Sequence, residues 1–528
     1  MQKSHINRLK LSYFSNYSNK LTYDQNIFKE FIQEEFSLSA FERQIELKSS
    51  FSIEKRKLLH KILLFQYKKI EGSEKIQQRI DLLQEENTFT ITTGHQLSLL
   101  TGPLYFIYKI LHIIKLCEEL SKIYPEKNFI PVYWMANEDH DFEEINHTSL
   151  FNQKISWNTS QNGAVGNYKL ENWNELIDKV REFFRNVPDA KIHELLMKYT
   201  GKNLAEATFS LVHELFKNYG LVIIDANRKE LKTEFISIFK KEIESSFSEK
   251  CVLETNSKLE KLGFKPQVHT RPINLFYLTE NERIRIILEN NSFKIESVGT
   301  FSKNEILDLI DKYPEKFSPN VILRPVYQEC ILPNLAYVGG GAEIAYWTQL
   351  KSVFEAVNIP FPLIQVRNSI QIFDKNALKK IEKFGLSIEE IFLPIEELKQ
   401  KYIEKNLKDE LDFSLLESQM NDLSQVIEKQ ILGFDSNLKN YVESEKTKLH
   451  NQIEHIKQKI KKLQKNQFEQ ELKQIEDLKN KLFPNNQLQE RNNNFLNFCA
   501  DGNYEDLIKN LYEAIDPVQK DLVILKLN

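Results

Sequence analysis

The stretch TFTITTGHQLSLLTGPLYFIYKILHIIKLCEEL, residues 88–120, decides the fold class of this sequence. Its first residues alternate Thr with Phe and Ile, which predicts a buried strand that ends at Gly94. Residues 105–120 then show a broad apolar face with helical spacing. FIPVYWMAN (129–137) follows with no polar face, as expected of an interior parallel strand. Strand, helix and strand in this order predict a βαβ unit.

The alternation of apolar strands and helices recurs later in the chain. LVIIDAN (221–227) predicts a buried strand that ends in an acid, and AYVGGGAEIAYWTQLKSVFEAV (336–357) predicts a strand, a glycine turn and a helix. FPLIQVRNS (361–369) adds one more strand. The segment after residue 150 is more polar and carries turn signals, and the segment after residue 264 predicts a small antiparallel set of strands. We therefore predict an α/β fold with a doubly wound parallel core that two connecting insertions interrupt.

Past residue 376 the sequence changes, because glycine nearly disappears and long helical periodicity takes over. The apolar positions of one stripe alternate steps of four and three residues, which predicts a coiled-coil seam at Leu449, Ile453, Ile456, Ile460 and Leu463. An earlier apolar stripe ends near Gly433, and Pro484 ends the helical pattern. Two long helices joined at Gly433 are therefore predicted to pack as an antiparallel hairpin.

These patterns predict six consecutive segments. They are residues 1–150, the first part of the core with N-terminal helices; 151–215, the first connecting insertion; 216–264, a continuation of the core; 265–318, the second connecting insertion; 319–375, the last part of the core; and 376–528, an α-helical coiled-coil domain.

Composition limits the classes of function. At about 150 residues per domain, 528 residues suggest three or four units. A net charge of −4 over this length gives no support for a nucleic-acid or membrane partner, so neither is predicted. The four cysteines lie far apart without a CxxC pair, which argues against disulfides and structural zinc and favours a cytoplasmic setting. The N-terminus lacks the apolar segment of a signal peptide, and residues 104–120 are too few and too charged to span a bilayer.

The turn after the first predicted strand is the first candidate site. Gly94 permits a tight turn, after which His95 projects at the carboxyl end of the sheet, where open α/β sheets bind ligands. Thr101 is a candidate N-cap, and the free N–H groups of the helix start suit a phosphate or carboxylate. A glycine-bearing loop with capping residues and no ligand is the alternative. The candidate binding residues are Gly94, His95, Gln96, Thr101, Gly102 and Lys109.

The second candidate site is ANEDHDFEEINH (136–147), directly after a buried strand. Its density of carboxylates and imidazoles suits a general acid–base pair or a cation site, and the alternatives are binding of substrate hydroxyls or an amine, or a polar helix start without a ligand. The spacing is not HExxH and no distant third ligand is evident, so no metal site is predicted. The candidate catalytic residues are Asn137, Asp139 and His140, with His140 as general base; Asp141 and His147 are candidate binding residues.

The third candidate site is LRPVYQECILPNLAYVGGGAEIAYW (323–347), where three consecutive glycines let a backbone approach a ligand closely. The glycines form neither a Walker A loop, since no Lys–Ser/Thr pair follows, nor a GxGxxG fingerprint. Cys330 is interpreted as a buried structural cysteine, because a catalytic cysteine needs a basic partner. The candidate binding residues are Arg324, Gln328, Gly339, Gly340, Gly341, Glu343 and Trp347.

The three candidate sites resemble motifs of one family. TGHQLSLLTGPLYFIYK is similar to TGQQxGLxTGPLYxxYK, VYWMANEDHDFEEINH to W(I/V)AxEDHDxxEINH, and LRPVYQECILPNLAYVGGGAEIAYWTQLK to LRPLxQDxxLPTxAYVGGPxEIAYxAQL. In this order, with long helices following, the segments resemble the cysteine-adding enzymes of bacillithiol biosynthesis. The motifs are long and extend over residues 88–370.

The resemblance implies a Rossmann-like core with two connecting insertions, a C-terminal coiled coil, and a homodimer. It also implies a ligase that joins L-cysteine to glucosaminyl-malate in the last step of bacillithiol synthesis. Forming an amide from a free carboxylate at neutral pH needs an activated acyl group, so ATP is the expected co-substrate, with Mg²⁺ as an accompanying ion to be tested and no tightly bound cofactor. Activation through an adenylate or through a phosphate stays open.

Two positions depart from the family pattern. Glutamine is usual at the position of His95, and GGGA (339–342) replaces a turn that contains GGP. A histidine still donates and accepts hydrogen bonds, but a catalytic role for His95 does not follow from the resemblance. The rival hypothesis is a non-catalytic nucleotide- or metabolite-binding scaffold that uses its coiled coil for protein association.

Overall fold

The computed structural model describes residues 2–187, 190–406 and 413–527, and its centre is a parallel sheet. The strands of the described residues are, in chain order, β1 (Gln2–Ile6), β2 (Thr88–His95), β3 (Asn128–Met135), β4 (His147–Leu150), β5 (Gln153–Ser156), β6 (Val222–Ile224), β7 (Leu275–Leu278), β8 (Arg283–Glu289), β9 (Ser292–Ile295), β10 (Gly299–Phe301), β11 (Phe317–Pro319), β12 (Asn334–Gly339), β13 (Leu363–Val366), β14 (Ile370–Phe373) and β15 (Leu522–Lys526).

The central sheet has the order β13-β12-β2-β3-β6, and every neighbouring pair in it is parallel. The chain runs outward from β2 through β3 to β6 and then returns to place β12 on the other side of β2. The strand order therefore reverses between β2 and β12, which is the topological switch point where open α/β sheets form their crevice. The predicted Rossmann-like parallel core is confirmed.

Many helices accompany this sheet in the first unit of the chain, which comprises Met1–Ile372 and Gln487–Asn528. In the first unit of the chain they are Asn16–Tyr23, Ala40–Lys48, Ile53–Tyr67, Glu74–Leu82, Tyr105–Ile123, Phe142–Ile145, Trp173–Glu182, Lys191–Lys198, Leu204–Phe216, Lys229–Thr233, Ile236–Ser245, Phe247–Lys261, Lys303–Lys312, Arg324–Ile331, Gly341–Trp347, Lys351–Ala356 and Tyr504–Ala514. Tyr105–Ile123 follows β2 and is buried on most of its surface, including Lys109 and His112. A helix that is apolar almost all round belongs in a core, as its sequence predicts.

Each insertion has its own small sheet. The antiparallel pair β4–β5 spans the start of the first insertion, and the antiparallel sheet β10-β9-β8-β7-β11 belongs to the second, with β11 at its end. The two insertions touch where Gly163, with a φ of +98°, lies so close to the turn between β7 and β8 that a Cβ would be 2.8 Å from the carbonyl carbon of Asn281. This contact joins both insertions above the core.

The end of the chain returns to the core. The chain divides into two units, Met1–Ile372 with Gln487–Asn528, and Phe373–Asn486. β15 pairs antiparallel with β1 and lies between β1 and β14, so both ends of the chain share one sheet. The predicted helical domain runs from residue 376 to 528; within it the compact helical unit is Phe373–Asn486, and Gln487–Asn528 belongs to the first unit. The apolar, β-branched run DLVILK (521–526) is the strand signal that the helical interpretation passed over.

The second unit is helical, and its helices are Lys375–Lys383, Ile395–Asn406, Ser414–Phe434, Lys439–Gln467 and Glu469–Leu482. Ser414–Phe434 and Lys439–Gln467 form the predicted antiparallel hairpin, because Lys446 pairs with Glu428 at 2.8 Å and the later Lys457 pairs with the earlier Glu417. None of the described helices has both the length and the hydropathy needed to cross a membrane.

Candidate functional site

A cavity of about 900 Å³ lies over the carboxyl ends of the core strands. At the strand ends, the residues that line it are 94–96 at the end of β2, 136–139 after β3, 226–227 after β6, 340–343 after β12 and Arg367 after β13. Residues of the second insertion between Gln267 and Arg285, and Arg491 of the C-terminal segment, also line it. The cavity therefore lies at the switch point, where the fold is expected to bind a ligand.

The structure brings many of the predicted site residues together. Those that line the cavity are Gly94, His95, Gln96, Lys109, Asn137, Asp139, Arg324, Gly340, Gly341 and Glu343. Those that lie outside its lining are Thr101, Gly102, His140, Asp141, His147, Gln328, Gly339 and Trp347.

A closed ring of hydrogen bonds joins the two sides of the switch point. Nζ of Lys109 donates to the carbonyl of Gly94 at 2.9 Å and to Oε2 of Glu343 at 2.5 Å. The Tyr337 hydroxyl donates to Oε1 of Glu343 and accepts the N–H of Gly94 at 3.1 Å. The N–H of Gly340 donates to the Glu343 carboxylate at 3.2 Å. The ring holds the turn after β2 against the glycine loop after β12.

Glu343 is ionised within this ring. Burial alone would raise the pKa of its carboxyl group, but the charge of Lys109 and the hydrogen bonds from Lys109 and Tyr337 outweigh burial and lower the pKa. A carboxylate that accepts this many charge-assisted and neutral hydrogen bonds is already satisfied. Glu343 therefore organises the site rather than acting as a free acid or base.

Gly94 is required for a reason other than the predicted tight turn. Gly94 is part of β2 and lacks a positive φ, but a Cβ at this position would lie 2.9 Å from the Tyr337 hydroxyl. Tyr337 cannot move away easily, because its ring stacks on buried Trp347 with centroids 4.2 Å apart. Trp347 was predicted to bind a ligand; the structure corrects this, since its indole is fully buried in the core.

His95 keeps its position at the cavity and is neutral. Its ring packs edge-on against Tyr105, with centroids 5.3 Å apart, and its Nε2 is buried without a hydrogen-bond partner among the described residues. Burial and the positive charges of Lys109 and Arg367 hold the pKa of His95 well below its ordinary value. A neutral imidazole with a free ring nitrogen can donate to or accept from a ligand.

The acidic loop after β3 carries Asp139 on the cavity wall. Gln96 Nε2 donates to Oδ2 of Asp139 at 2.8 Å and to Oε2 of Glu144 at 3.0 Å, and the His140 N–H donates to Oδ1 of Asp139 at 2.9 Å. Burial would raise the pKa of Asp139, but hydrogen bonds from His140 and Gln96 and the charge of Arg283 outweigh it. The pKa is held well below the ordinary range, so Asp139 faces the cavity as a carboxylate.

The first insertion supports this acidic loop from behind. The N–H of Val165 donates to the carbonyl of Asp139 at 2.8 Å, and the N–H of Gly166 donates to the carbonyl of Asn137 at 2.9 Å. A Cβ on Gly166 would lie 2.7 Å from the Cβ of Asn137, so only glycine permits this approach. Asn137 in turn donates its side-chain amide to Oδ1 of Asp225.

Arg283 of the second insertion holds the same loop, and the sequence interpretation missed it. Its Nη1 lies 3.5 Å from Oδ1 of Asp139 and 3.2 Å from Nδ1 of His140, and its Nη2 donates to the carbonyl of Pro319 at 3.0 Å. The guanidinium lies over the Phe276 ring at 4.1 Å. Arg283 and Arg285 are two residues apart on β8 and share a face of the strand, a signal in ERIRI (282–286) that could have found both.

His140 is corrected as the candidate general base. Its ring is exposed and lies outside the cavity lining. A guanidinium can only donate, so Nδ1 of His140 accepts in its 3.2 Å contact with Arg283. The lone pair that a base would use is therefore engaged. His140 supports Asp139 and Arg283 from the outside.

Glu138 and a buried lysine anchor the second insertion to the core. Fully buried Lys232 pairs with Oε1 of Glu138, and the Ser318 hydroxyl donates to Oε2 of Glu138 at 2.6 Å. Arg283 Nε donates to the same hydroxyl at 3.2 Å. Lys232 was not among the predicted residues, because it lies on a helix without a motif of its own.

Arg324 reaches the cavity from a chain of buried polar groups. Its Nη1 donates to Oε1 of Gln328 at 3.1 Å, and Nε2 of Gln328 donates to Oε1 of Glu329 at 3.1 Å. Lys48 pairs with the other oxygen of Glu329 at 2.7 Å. Nη2 of Arg324 is buried without a hydrogen-bond partner among the described residues. Gln328, predicted to contact a ligand, is fully buried and positions Arg324 instead.

The three consecutive glycines have different surroundings. Nothing lies within 4 Å of a Cβ built on Gly340, so this residue alone leaves open space beside the loop. A Cβ on Gly339 would lie 2.9 Å from Glu343, and one on Gly341 would lie 2.2 Å from the Ser18 hydroxyl. The prediction of a glycine run that approaches a ligand therefore fits Gly340, whereas Gly339 is explained by internal packing and Gly341 by the contact with Ser18.

The predicted anion site at Thr101 and Gly102 is not formed. The helix begins at Tyr105, and Leu104 precedes it with its N–H donated to the carbonyl of Asn493 at 2.9 Å. The Asn494 side chain donates to the carbonyls of Leu100 and Gly102 at 2.8 Å each. The C-terminal segment therefore fills this turn, and Gly102 has a φ of +68° that suits glycine.

Asp141 and His147 also lie away from the cavity. Asp141 is exposed, and His147 begins β4 with its Nδ1 2.9 Å from Oδ1 of Asn146. Among the described residues, no group of three or more His, Cys, Asp or Glu side chains is arranged to hold a metal ion. The buried orphan atoms of His95 and Arg324 instead fit a phosphate or carboxylate.

Cationic side chains dominate the cavity. Lys109, Arg283 and Arg367 pair with carboxylates, the last with Glu490 at 2.8 Å. Among the described residues, no carboxylate forms an ion pair with the cavity-lining arginines Arg271, Arg285, Arg324 and Arg491. The cavity therefore has an excess of positive charge, which suits ligands that carry several negative charges.

The fold and the cavity define a Rossmann-like α/β protein with a positively charged cavity at its switch point. The model of the N-terminal Rossmann-like domain of bacillithiol biosynthesis BshC matches residues 1–368, and that of its C-terminal coiled-coil domain matches residues 370–527. The chain belongs to this family.

Curated relatives carry the name "Putative cysteine ligase BshC". The one from Flavobacterium johnsoniae is 42% identical over 93% of each chain, and the one from Christiangramia forsetii is 40% identical over 91% of this chain and 90% of its own. The one from Bacillus cytotoxicus is 27% identical over 81% of this chain and 83% of its own. The chain is thus a member of a family of ligases with small-molecule substrates.

Replacing Gly94 tests the hydrogen-bonded ring. Gly94→Ala places a methyl group against the Tyr337 hydroxyl and should destabilise the protein by about 2 kcal/mol. Gly340→Ala, with open space at its Cβ, should lower stability by less than about 1 kcal/mol. All four tryptophans lie in the first unit, so urea unfolding followed by tryptophan fluorescence reports on this unit alone. Adding Tyr337→Phe should make the double variant more stable than additivity predicts; additive effects would place the strain elsewhere.

The neutral state of His95 has a measurable pH dependence. The pKa of folded His95 lies below its unfolded value, so the unfolded chain takes up a proton first as the pH falls, and stability decreases from about pH 6.5 downward. Between pH 8 and 5.5, wild-type protein should lose about 1.4 kcal/mol more stability than His95→Gln. Buried His112, whose pKa burial lowers to about 4, titrates alike in both proteins. Parallel stability curves for the two proteins would contradict the neutral assignment.

Proposed function

We propose that this protein joins L-cysteine to glucosaminyl-malate, the last step of bacillithiol synthesis, by an ATP-dependent activation of the cysteine carboxylate. The observation that carries the proposal is the excess of unpaired arginines in a cavity at the switch point of the sheet, next to an ionised acidic loop. Family membership supplies the reaction class, and the cavity supplies the charge pattern that the substrates need.

The charges of the substrates match two parts of the cavity wall, one lined by unpaired arginines and one formed by the carboxylate of Asp139. Glucosaminyl-malate carries an amine and two carboxylates, and ATP carries a chain of phosphates. Anionic groups are favoured beside unpaired arginines and beside the free nitrogens of His95 and Arg324. An amine is favoured beside Asp139, which hydrogen bonds and Arg283 keep ionised.

The reaction requires an amine nucleophile to meet an activated acyl group. Activation of the cysteine carboxylate gives an acyl-adenylate with release of pyrophosphate, or an acyl-phosphate with release of ADP. The free amine of glucosamine then attacks the activated carbonyl carbon, the amide bond forms, the bond to AMP or to phosphate breaks, and the amine releases one proton. Asp139 would hold the incoming amine by a charge-assisted hydrogen bond. Arg324 and the neutral His95 would stabilise negative charge that develops on the acyl or phosphoryl oxygens. A requirement of the reaction for Mg²⁺ is a further prediction, which the same assay tests.

We also propose a homodimer formed through the helical hairpin. Large apolar side chains on Ser414–Phe434 are exposed, with Leu423 51% and Val426 53% accessible. Such a stripe on a solvent-facing helix is typical of an association surface.

Neighbouring aspartates give a matched test of the reaction. Asp139→Asn should lower the rate of ligation by about 100-fold or more, because the carboxylate that holds the amine is lost. Asp141→Asn removes an exposed carboxylate two residues away and should leave the rate within about twofold. Purified proteins are incubated with ATP, L-cysteine and glucosaminyl-malate, and mass spectrometry measures the cysteinyl product together with AMP and ADP. Nucleotide binding without a thiol product in wild-type protein would favour the scaffold hypothesis over the ligase.

Charge placed on the hairpin tests the dimer. Leu423→Glu combined with Val426→Glu should convert a dimer to a monomer, since a buried unpaired carboxylate opposes association. Leu253→Glu, on an exposed residue of Phe247–Lys261, is the control and should leave the mass unchanged. Light scattering coupled to size-exclusion chromatography measures the molar mass. A dimer that survives the double substitution would place the interface elsewhere.

A further inference from the structure

The second insertion presents two arginines to the cavity without a protein counter-ion. Arg271 precedes β7 and Arg285 lies on β8, and both are exposed side chains of the cavity lining. No ion pair with a carboxylate engages either of them within the described part of the chain. Arg283, two residues before Arg285, is by contrast neutralised by Asp139 and bound to Ser318 and Pro319.

Arg283 and Arg285 have different roles: Arg283 attaches the insertion to the acidic loop, whereas Arg285 is free to contact a ligand. Alternate residues of a strand share one face, and Arg283 and Arg285 of β8 both line the cavity. Arg283 uses its hydrogen bonds to fix the insertion to the acidic loop. Arg285 has no such task, and its cross-strand neighbour is Phe276, another residue of the cavity lining. A fixed strand therefore holds a free guanidinium at a defined place on the cavity wall.

The position of the insertion assigns a ligand to these arginines. A nucleotide is expected at the switch point of a doubly wound sheet. Three parts of the cavity lining lie there: the turn at Gly94, the loop at Gly340 and buried Arg324. Asp139 of the acidic loop contacts both the turn at Gly94 and the insertion, since Gln96 donates to one of its oxygens and Arg283 lies beside the other. A substrate whose amine meets Asp139 would extend its remaining groups toward Arg271 and Arg285.

We propose that Arg271 and Arg285 are the specificity-determining residues that bind the dicarboxylate end of the amine substrate. Each guanidinium can form two parallel hydrogen bonds with a carboxylate. The two carboxylates of a malate group match two arginines of one insertion, Arg271 in the segment before β7 and Arg285 on the neighbouring strand β8. This inference rests on the proposed function, because it presumes that the amine substrate carries malate.

Steady-state kinetics with two amine substrates tests the assignment. Arg271→Met and Arg285→Met should each raise the KM for glucosaminyl-malate about tenfold or more, with kcat changed little. The KM values for ATP and L-cysteine should stay within about twofold of wild type. Activity with methyl glucosaminide, which keeps the amine but lacks malate, should be unchanged. Lys294→Met, which removes a cation of the same insertion outside the cavity, is the matched control.

The outcomes are separable. A rise in the KM for ATP instead of glucosaminyl-malate would assign the arginines to phosphates and overturn the proposal, as would equal losses with both amine substrates or no change with either. If wild-type protein forms no cysteinyl product, the proposed function fails. Calorimetric binding of glucosaminyl-malate alone then still decides the recognition role, because weaker binding by Arg285→Met than by Lys294→Met is expected and equal binding excludes it. Tryptophan fluorescence verifies that each variant is folded.

Discussion

The ion pair between Lys109 and Glu343 is the contact on which the site depends. It joins the helix after β2 to the helix after β12, the two elements that flank the switch point. A buried pair gains little net stability by itself, because desolvation offsets much of the attraction. Its value here is geometric, since Lys109 also fixes the Gly94 carbonyl and Glu343 also fixes Tyr337 and Gly340. Removing one partner would leave a buried charge and free both edges of the cavity.

A second constraint is that the acidic loop is held from two sides. The first insertion supplies backbone N–H groups from Val165 and Gly166, and the second supplies the guanidinium of Arg283. A carboxylate that must meet an amine has to stay ionised and in place, and both requirements are met by surrounding donors rather than by solvent. Both insertions are therefore structural parts of the site. Their mutual contact at Gly163 and Asn281 keeps the two supports in register.

The sequence predicted the parallel core, both insertions and the helical hairpin, because each rests on a local periodicity that burial enforces. Site residues could be predicted from the sequence when they belong to a motif at the end of a strand, as do Gly94, Asp139 and Glu343. The sequence could not show which side chains of a motif turn inward: Trp347 and Gln328 share a segment with Glu343, yet packing buries both. Arg283 and Lys232 were missed for a related reason, since their partners lie far away in the chain and no local pattern marks them.

The C-terminal segment explains why the second part of the first motif, around Thr101 and Gly102, does not line the cavity. Thr101 and Gly102 belong to a turn in which Leu100 and Thr101 have positive φ values, and Asn494 satisfies the carbonyls that this conformation leaves open. Nearby, Glu490 holds Arg367 in a two-point ion pair, and Arg491 reaches the cavity itself. The chain leaves the core at Ile372 and re-enters at Gln487. The helical unit is therefore inserted in the chain between the last strand of the first part and the segment that supplies Glu490 and Arg491 to the site.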